Sequence, residues 1–462
     1  MKAASSDEKS APAIPAYDEF ISPRWTAHLA AQAVPVTPSP GADPTAAPPA
    51  DWAALADLRQ LGERGGLETD GALRFLLSLY LKTRPQLAAL LAQRQADRQF
   101  IDERTRACYA LNQRLGRDIT DPDYRTVLGL EDAQGRVVVG PLRPDYCAGG
   151  GAPVAPIPPY LRGPHVTLFG PPDTAKMAVN AMNAYHRKLR GEPPIVEQLL
   201  AELDAQEGHA VTPMWGADDE DSKTPLRKDL IDAGVNLTAC HQGQLSINDG
   251  GKSYTLAASH RSLPIKRFPG LALPCTFLFY QGSPLPLHLY DFALHLFANY
   301  RNPQALVFYV PKLETEGEAE YLRQMFLAAE TLIRQMDPAY QIGTIRVLVV
   351  LENPRAILRT HEIMDALYPY FVGASLGWHD YLASTARLFR EDGNYRIPVK
   401  ADPNIVIKYI KASHSLLADV VGSRGGIGVG GMYGILPLDN DLHSPSFQVT
   451  LRGFVKDVIT QL

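Results

Sequence analysis

The stretch VLVVLENP (Val347–Pro354), followed closely by GASLGWHDYL (Gly373–Leu382), decides the fold of this chain. Each stretch begins as a run of apolar and small residues, which is typical of a strand covered on both faces of a parallel sheet. Each run then leads to one acid, Glu352 in the first stretch and Asp380 in the second. In a (β/α)₈ barrel the functional groups lie at the carboxyl ends of such strands, so the two acids are candidate site residues.

The two acids permit two interpretations. The side chains of Glu352 and Asp380 offer only oxygen atoms, which suits a hard cation such as Mg²⁺ that keeps part of its water shell. The structural alternative is that each acid caps the helix after its strand, since Asp and Glu are common at helix starts. These two stretches alone leave both interpretations open.

Strand-like segments alternate with helical stretches over most of the chain, which indicates an α/β protein with a parallel sheet. A closed (β/α)₈ barrel, the TIM barrel, needs eight strands. We count seven, so we expect the eighth strand and a C-terminal helical domain to be absent from these 462 residues. The seven predicted strands are His165–Phe169, Val211–Ala217, Ser262–Arg267, Ala305–Pro311, Ile345–Leu351, Tyr370–Leu376 and Ile427–Ile435.

The chain is predicted to have three parts. Residues 1–50 are rich in Ala, Pro and Ser and bury too little apolar surface to fold, so we expect a flexible tail. Residues 51–150 form a helical segment and a linker, with apolar residues at helical spacing and a kink or break near Pro85. Residues 151–462 hold the barrel strands.

Composition argues against several classes of protein. A net charge of −5, without a basic cluster, argues against a nucleic-acid surface. The sequence has no run of eighteen apolar residues and no apolar signal core, so we expect no membrane span and a cytoplasmic location. Four cysteines without metal-like spacing are interpreted as reduced packing residues. They are Cys108, Cys147, Cys240 and Cys275.

Several stretches of the chain, taken in order from near Ala152, carry a resemblance to one enzyme family. They are residues 152–184, GADDEDSKTPLRKDLIDAGVNL (Gly216–Leu237), HRSLPIKRFPGL (His260–Leu271), YVPKLETEGEAEYL (Tyr309–Leu322), VLVVLENP, GASLGWHDYL and GVGGMYGILP (Gly428–Pro437). Together they resemble the malate synthase family in its shorter bacterial and plant form, which implies a TIM barrel preceded by a helical clasp. The resemblance also implies Mg²⁺-dependent condensation of acetyl-CoA with glyoxylate to malate and CoA, a step of the glyoxylate cycle.

The resemblance assigns a role to each candidate site residue. Glu352 and Asp380 would hold Mg²⁺, and the backbone around Gly377 and His379 would bind the glyoxylate carboxylate. Where the family usually reads Arg-Trp-Asp, this chain reads Trp-His-Asp at residues 378–380.

Arg267 would stabilise the enolate and the aldehyde, because a guanidinium stays charged and offers forked donors to oxygen pairs. The structural alternative is an arginine that merely pairs on the surface. Glu220 and Asp221 would lie beside the metal, where they hold waters or orient the arginine. With Asp218 and Asp219 they make a run of four acids, so a solvated acidic turn is the alternative.

The glycine-rich stretch Gly430, Gly431 and Met432 resembles a family strand near acetyl-CoA, where glycine lets a ligand approach the backbone closely. The family's general base follows the eighth strand, and we assign neither Asp439 nor Asp441 to that role. Three functions stay open: malate synthase, a non-catalytic remnant that binds Mg²⁺ or acyl-CoA, and another acyl-CoA lyase or aldolase. Acetyl-CoA and glyoxylate are the expected partners. A separate C-terminal segment or self-association would complete the barrel, and these 462 residues alone are expected to have little activity.

Overall fold

The computed structural model describes most of the chain and divides it into two compact units. The first unit comprises Met1–Ala92, Pro159–Tyr309 and Gln324–Ile345, and the second comprises Gln93–Pro158, Val310–Arg323 and Arg346–Leu462. The described residues are 21–39, 55–116, 131–163, 167–186, 213–221, 226–388, 408–431 and 436–461, with isolated positions at 17, 129, 165, 194, 198, 201, 202 and 390.

The described part of the first unit contains strands β1 to β10, and the last residue of β10 already belongs to the second unit. Their bounds are β1 Val34–Pro35, β2 Leu58–Gln60, β3 Thr167–Gly170, β4 Met214–Asp218, β5 Ser246–Asp249, β6 Lys252–Thr255, β7 Leu263–Arg267, β8 Pro274–Tyr280, β9 Ser283–Pro286 and β10 Val307–Val310.

Helices α1 to α6 pack around these strands, and α2 ends and α6 begins within residues of the second unit. Their bounds are α1 Pro23–Gln32, α2 Asp70–Leu115, α3 Ala175–Met182, α4 Arg227–Gln242, α5 Leu287–Asn299 and α6 Glu316–Met336, with single 3₁₀ turns at Pro159–Leu161, Ala184–His186 and Pro303–Ala305. Helix α2 is unbroken at Pro85, where the sequence predicted a kink or break.

Four parallel strands form the centre of the first unit, in the order β10–β7–β4–β3. Each coincides, within a few residues, with a strand predicted from its apolar run. The residues of β10 and β4 and the centre of β7 are buried, whereas Leu168 and Phe169 of β3 are exposed. The aromatic rings of Phe268, Phe292, Phe308 and Phe326 pack between β10 and the helices. Such dense aromatic packing fixes the strand ends on which the candidate residues lie.

An antiparallel sheet, in the order β1–β2–β8–β9, accompanies the parallel strands and was not predicted. Strands β8 and β9 are joined by Gln281 and Gly282, whose φ angles are +50° and +79°. Two consecutive positive φ values define the tight turn that matches the twist of a two-stranded hairpin. Strands β5 and β6 form a second hairpin.

Part of the predicted tail has regular structure. Helix α1 begins after Ser22, whose side-chain oxygen accepts a hydrogen bond from the N–H of Trp25. Such a cap satisfies one of the donors that a helix start leaves unpaired. Strand β1 pairs antiparallel with β2. The rest of the predicted tail, at 1–16, 18–20 and 40–50, lies outside the described residues.

The second unit contains three parallel strands in the order β11–β12–β13. In the register of β11 and β12, Leu351 lies opposite Leu376, so both strands end at the same level. The elements are β11 Arg346–Leu351, α7 Pro354–Leu358, α8 Thr360–Ala366, β12 Phe371–Leu376, α9 Trp378–Leu388, α10 Lys408–Leu417, a π-helical turn at Ala418–Gly422, β13 Ile427–Val429 and α11 Pro445–Gln461.

Strands β11 and β12 also agree with the predicted ones. Strand β13 ends at Val429, earlier than the predicted Ile435: residues 430 and 431 are described and lie outside the strand, and residues 432–435 lie outside the described part. Parallel strands that alternate with helices confirm the predicted α/β class. No helix among the described residues is both long enough and apolar enough to cross a membrane.

Candidate active site

In the first unit, the parallel register places Arg267 opposite Asp218 at the carboxyl ends of β7 and β4. The guanidinium donates from Nε and Nη2 to the two carboxylate oxygens of Asp218, each at 2.7 Å. It also lies 5.8 Å from the ring centre of Phe169 at the end of β3. Burial alone would lower the pKa of Arg267, but the hydrogen bonds and charge of Asp218 raise it. Arg267 therefore keeps its positive charge.

The predicted acids next to Asp218 have different surroundings. Glu220 is 6% exposed, and its Oε2 lies 3.8 Å from Nη1 of Arg267. The carboxylate of Asp221 lies 3.3 Å from Nη2 of the same arginine, but its side chain is about half exposed, at 47%. Both acids thus face Arg267, and a fully solvated acidic turn does not describe the run, since Asp218, Asp219 and Glu220 are buried.

Asp219 belongs to a second buried charge cluster. It forms an ion pair with Lys266, whose Nζ also lies 2.9 Å from Oδ1 of Asp291 in α5. Burial and the second acid raise the pKa of Asp219 to about 7, against the opposing effect of Lys266. The backbone N–H of Asp219 donates to the carbonyl of Arg267 at 3.0 Å. The cluster therefore ties the end of β4 to the end of β7, directly beside the Arg267–Asp218 pair.

In the second unit, Glu352 follows the last residue of β11, and Gly377 follows the last residue of β12. Glu352 is 3% exposed. A Cβ atom on Gly377 would lie 2.7 Å from Oε2 of Glu352 and 2.6 Å from Val350, closer than real contacts allow. The N–H of Gly377 donates to Leu351 O at 3.0 Å. Gly377 is therefore needed for close approach of the carboxylate, and its N–H already has a partner other than a substrate.

Asp380 lies in the first turn of α9. Its Oδ2 is 3.4 Å from Nζ of Lys312, and its side chain is 42% exposed. Lys312 also donates its backbone N–H to Oε1 of Glu352 at 2.5 Å. The two predicted metal ligands thus share one neighbour, which the sequence analysis did not single out.

The remaining predicted residues lie around α9. The ring of His379 is 4.3 Å from that of Trp378, centre to centre. Gly431 follows β13, where an added Cβ would lie 3.3 Å from Leu376 O and 3.5 Å from Trp378. Gly431 is therefore packed against the carboxyl end of β12, and Gly430 precedes it. Met432 lies outside the described residues.

Behind Glu352, a buried network of arginines and acids holds the loops of the second unit. Arg355 forms an ion pair with Asp97 of α2, donates to Glu314 at 3.0 Å, and donates to Val138 O at 2.9 Å. Glu314 also contacts Arg94 and Arg98. Burial would raise the pKa of Glu314, but these arginines lower it. Glu314 thus has a structural role in this network.

The residues present fit a magnesium ion. Within the described residues, no three His, Cys, Asp or Glu side chains cluster closely enough to enclose a metal ion. Magnesium in protein sites commonly uses one or two carboxylates and fills its other positions with water and substrate oxygens. Glu352, directly after β11, and Asp380, in the first turn of α9 after β12, offer oxygen donors of this kind.

Parallel strands that alternate with helices and carry acids and an arginine at their carboxyl ends define this chain as a TIM-barrel-type α/β protein. The family model of the malate synthase TIM barrel domain matches residues 264–451. This stretch contains Arg267, Glu352, Asp380 and the glycines near Gly431.

The sequences of two known proteins are similar to this chain. Malate synthase A of Escherichia coli (strain K12) is 27% identical over 400 residues, which cover 84% of this chain and 62% of that protein. Malate synthase of Streptomyces clavuligerus is 29% identical over 297 residues, 62% of this chain and 49% of that protein. Residues 264–451 are therefore similar to the malate synthase TIM barrel domain, and the predicted resemblance is confirmed.

Two further facts describe the comparison. The chain spans less than two thirds of the length of these curated relatives, 62% of one and 49% of the other. A solved structure, the Haloferax volcanii malate synthase magnesium/glyoxylate complex, aligns with 64% of this chain and 68% of its own at 14% identity and a TM-score of 0.37.

Proposed function

We propose that this chain is a malate synthase, which condenses acetyl-CoA with glyoxylate in a Mg²⁺-dependent reaction and releases malate and CoA. The observation that carries the proposal is the pair Glu352 and Asp380, which follow two neighbouring parallel strands inside the stretch that matches the family. The curated relatives named malate synthase support the same activity. We also propose a cytoplasmic location, which suits cysteines that form no disulfide bond among the described residues.

In the second unit, Glu352 and Asp380 would hold Mg²⁺. When bound, the ion would supply Lewis acidity that polarises the aldehyde of glyoxylate. Glu352 is fixed by the Lys312 N–H and by close packing against Gly377. Helix α9 begins at Trp378, and a helix N-terminus favours an anion, so the backbone near His379 would receive the glyoxylate carboxylate.

In the first unit, Arg267 would stabilise the negative charge that develops on oxygen when acetyl-CoA forms its enolate. Preorganised positive groups lower the barrier because they need no rearrangement as the charge appears. The two hydrogen bonds to Asp218 provide this preorganisation, and Glu220 and Asp221 would complete the orientation of the guanidinium. Gly430, Gly431 and Met432 would lie near the pantetheine arm of acetyl-CoA.

The test measures thiol release from acetyl-CoA with glyoxylate, with and without Mg²⁺, and detects malate directly. We expect any thiol release to depend on Mg²⁺, so that EDTA abolishes it and Asp380→Asn lowers it by at least roughly a hundredfold. Asp439→Asn, in an exposed loop, is the matched control and should behave as the wild type. Thiol release that is indifferent to EDTA and to Asp380→Asn would contradict the proposal. Binding of Mg²⁺ without thiol release would instead favour the non-catalytic alternative.

A further inference from the structure

Lys312 has a backbone conformation that is unusual for a residue with a side chain. Its φ is +55°, in the left-handed region that Cβ atoms disfavour. Two hydrogen bonds hold it there: its N–H donates to Oε1 of Glu352 at 2.5 Å, and its carbonyl accepts from Nη2 of Arg94 at 3.0 Å. Such conformations persist only where the surroundings fix them, and they concentrate at functional sites.

The side chain of Lys312 reaches the second acid. Its Nζ lies 3.4 Å from Oδ2 of Asp380, and both side chains are partly exposed, at 36% and 42%. One residue therefore contacts both acids, through its backbone N–H at Glu352 and through its ammonium group at Asp380. An ammonium group is a strongly hydrated point charge on a flexible stem, so it can leave a carboxylate at little cost in packing.

We propose that Lys312 acts as a built-in cation at the Glu352–Asp380 pair, which a divalent ion must displace from Asp380 to bind. This inference rests on the proposed function, because it takes these acids as the magnesium ligands. The ammonium group and a divalent ion compete for the same carboxylate, and the two positive charges repel each other at short range. When no divalent ion is bound, the ammonium group of Lys312 therefore balances the negative charge of Asp380. Its presence weakens the affinity of the site for divalent cations.

The backbone conformation of Lys312 suggests a substitution that removes the side chain without disturbing the backbone. Glycine adopts positive φ readily, so Lys312→Gly removes the ammonium group and keeps the N–H that donates to Glu352. Lys312→Asn is a second neutral variant, because Asn tolerates the left-handed region better than most residues. Lys312→Arg retains the positive charge. Gln281→Gly, at φ +50° in the β8–β9 turn, controls for placing glycine at a left-handed position.

The experiment measures the dissociation constants of Mg²⁺ by calorimetry and of Mn²⁺ by electron paramagnetic resonance for each variant. We expect Lys312→Gly and Lys312→Asn to bind both ions roughly tenfold more tightly than the wild type, as loss of one nearby positive charge predicts. Lys312→Arg and Gln281→Gly should stay near the wild-type value. A purely structural role for Lys312 predicts the opposite sign, because a loosened site binds more weakly.

The Asp380→Asn variant distinguishes a failure of the inference about Lys312 from a failure of the proposed magnesium site. If it loses binding while the neutral Lys312 variants bind no more tightly than the wild type, the acids hold the ion and the inference about Lys312 is wrong. If the wild type binds neither ion, the proposed magnesium site itself is wrong, and the inference falls with it.

Discussion

Arg267 and Asp218 face each other across two parallel strands, joined by two hydrogen bonds of 2.7 Å from Nε and Nη2 of the guanidinium. This forked geometry matches a carboxylate in two places at once, which a lysine could not do. The candidate catalytic arginine thus has its orientation set by a partner in the fold, before any substrate is present.

Asp218→Asn tests this pair. The substitution keeps the shape of the side chain but removes the charge that faces a buried guanidinium, so we expect the free energy of unfolding to fall by about 3 kcal/mol. Urea unfolding measures the loss. The matched control is Asp221→Asn, whose half-exposed carboxylate should contribute about 0–1 kcal/mol. Equal losses of unfolding free energy in the two variants would show that the forked pair of Arg267 and Asp218 stabilises the fold no more than the contact of Asp221 does.

Gly377→Ala tests the close approach at the end of β12. The new Cβ would lie within 2.7 Å of both Val350 and Glu352, so the carboxylate must move. We expect a loss of about 1–3 kcal/mol in unfolding free energy from overpacking, together with weaker Mg²⁺ binding by calorimetry. Gly317→Ala is the control, because its Cβ would meet its neighbour Thr315 at an ordinary 3.6 Å. Normal Mg²⁺ binding by Gly377→Ala would contradict the inferred position of Glu352.

Arg355→Met tests the buried network of the second unit. Methionine fills a similar volume but leaves Asp97 and Glu314 with one cation fewer, so we expect destabilisation of about 3–5 kcal/mol. Thermal or urea unfolding provides the measurement. The half-exposed pair of Arg323 and Glu320 offers the control, and Arg323→Met should cost at most about 0.5 kcal/mol. A neutral effect of Arg355→Met would mean that the remaining arginines suffice.

His288 of α5 gives a prediction about pH. Burial lowers its pKa to about 3 in the folded chain, from an ordinary value near 6.5. Between these pH values the unfolded chain binds a proton that the folded chain does not, so this group makes folding less stable as pH falls from 6.5 towards 3. The slope is at most about 1.4 kcal/mol per pH unit. His288→Gln should show a correspondingly shallower decline in unfolding free energy.

The comparison of variant with wild type is needed because other groups titrate in the same range. Burial raises the pKa of Asp219 to about 7, so its effect has the opposite sign: the folded chain gains stability as pH falls from 7 towards 3.8. The difference between His288→Gln and the wild type removes that shared contribution. Identical slopes for His288→Gln and the wild type would show that His288 is not buried in its neutral form.

The parallel strands could be predicted from the sequence because each is a short apolar run between helical stretches. The run before Glu352 is an example, and β11 matches its predicted bounds to within one residue. The β8–β9 hairpin was missed, although Gln281-Gly282 between apolar runs is a recognisable turn signal. Glu352 directly follows β11, as its apolar run predicted, whereas Asp380 lies in the first turn of α9, after the end of β12 at Leu376.

The contacts within the candidate site could not be predicted. Asp218 pairs with Arg267 only because two strands, 49 positions apart in sequence, align in one register. The left-handed backbone of Lys312 depends on Glu352 and Arg94, and no local sequence pattern predicts a positive φ at a lysine. Register and tertiary hydrogen bonds are properties of the assembled fold, so they become visible only in the structure.

The network of Asp97, Glu314 and Arg355 constrains how this chain can diverge. A single substitution at any of these three positions leaves an opposite charge buried without its partner. Because such a variant is less stable, selection against unfolding removes it. Replacement of the ion pairs by apolar residues is tolerable only when the partners change together. Among descendants of a common ancestor, these three positions, although more than 200 residues apart at the extremes, should therefore change in concert or not at all.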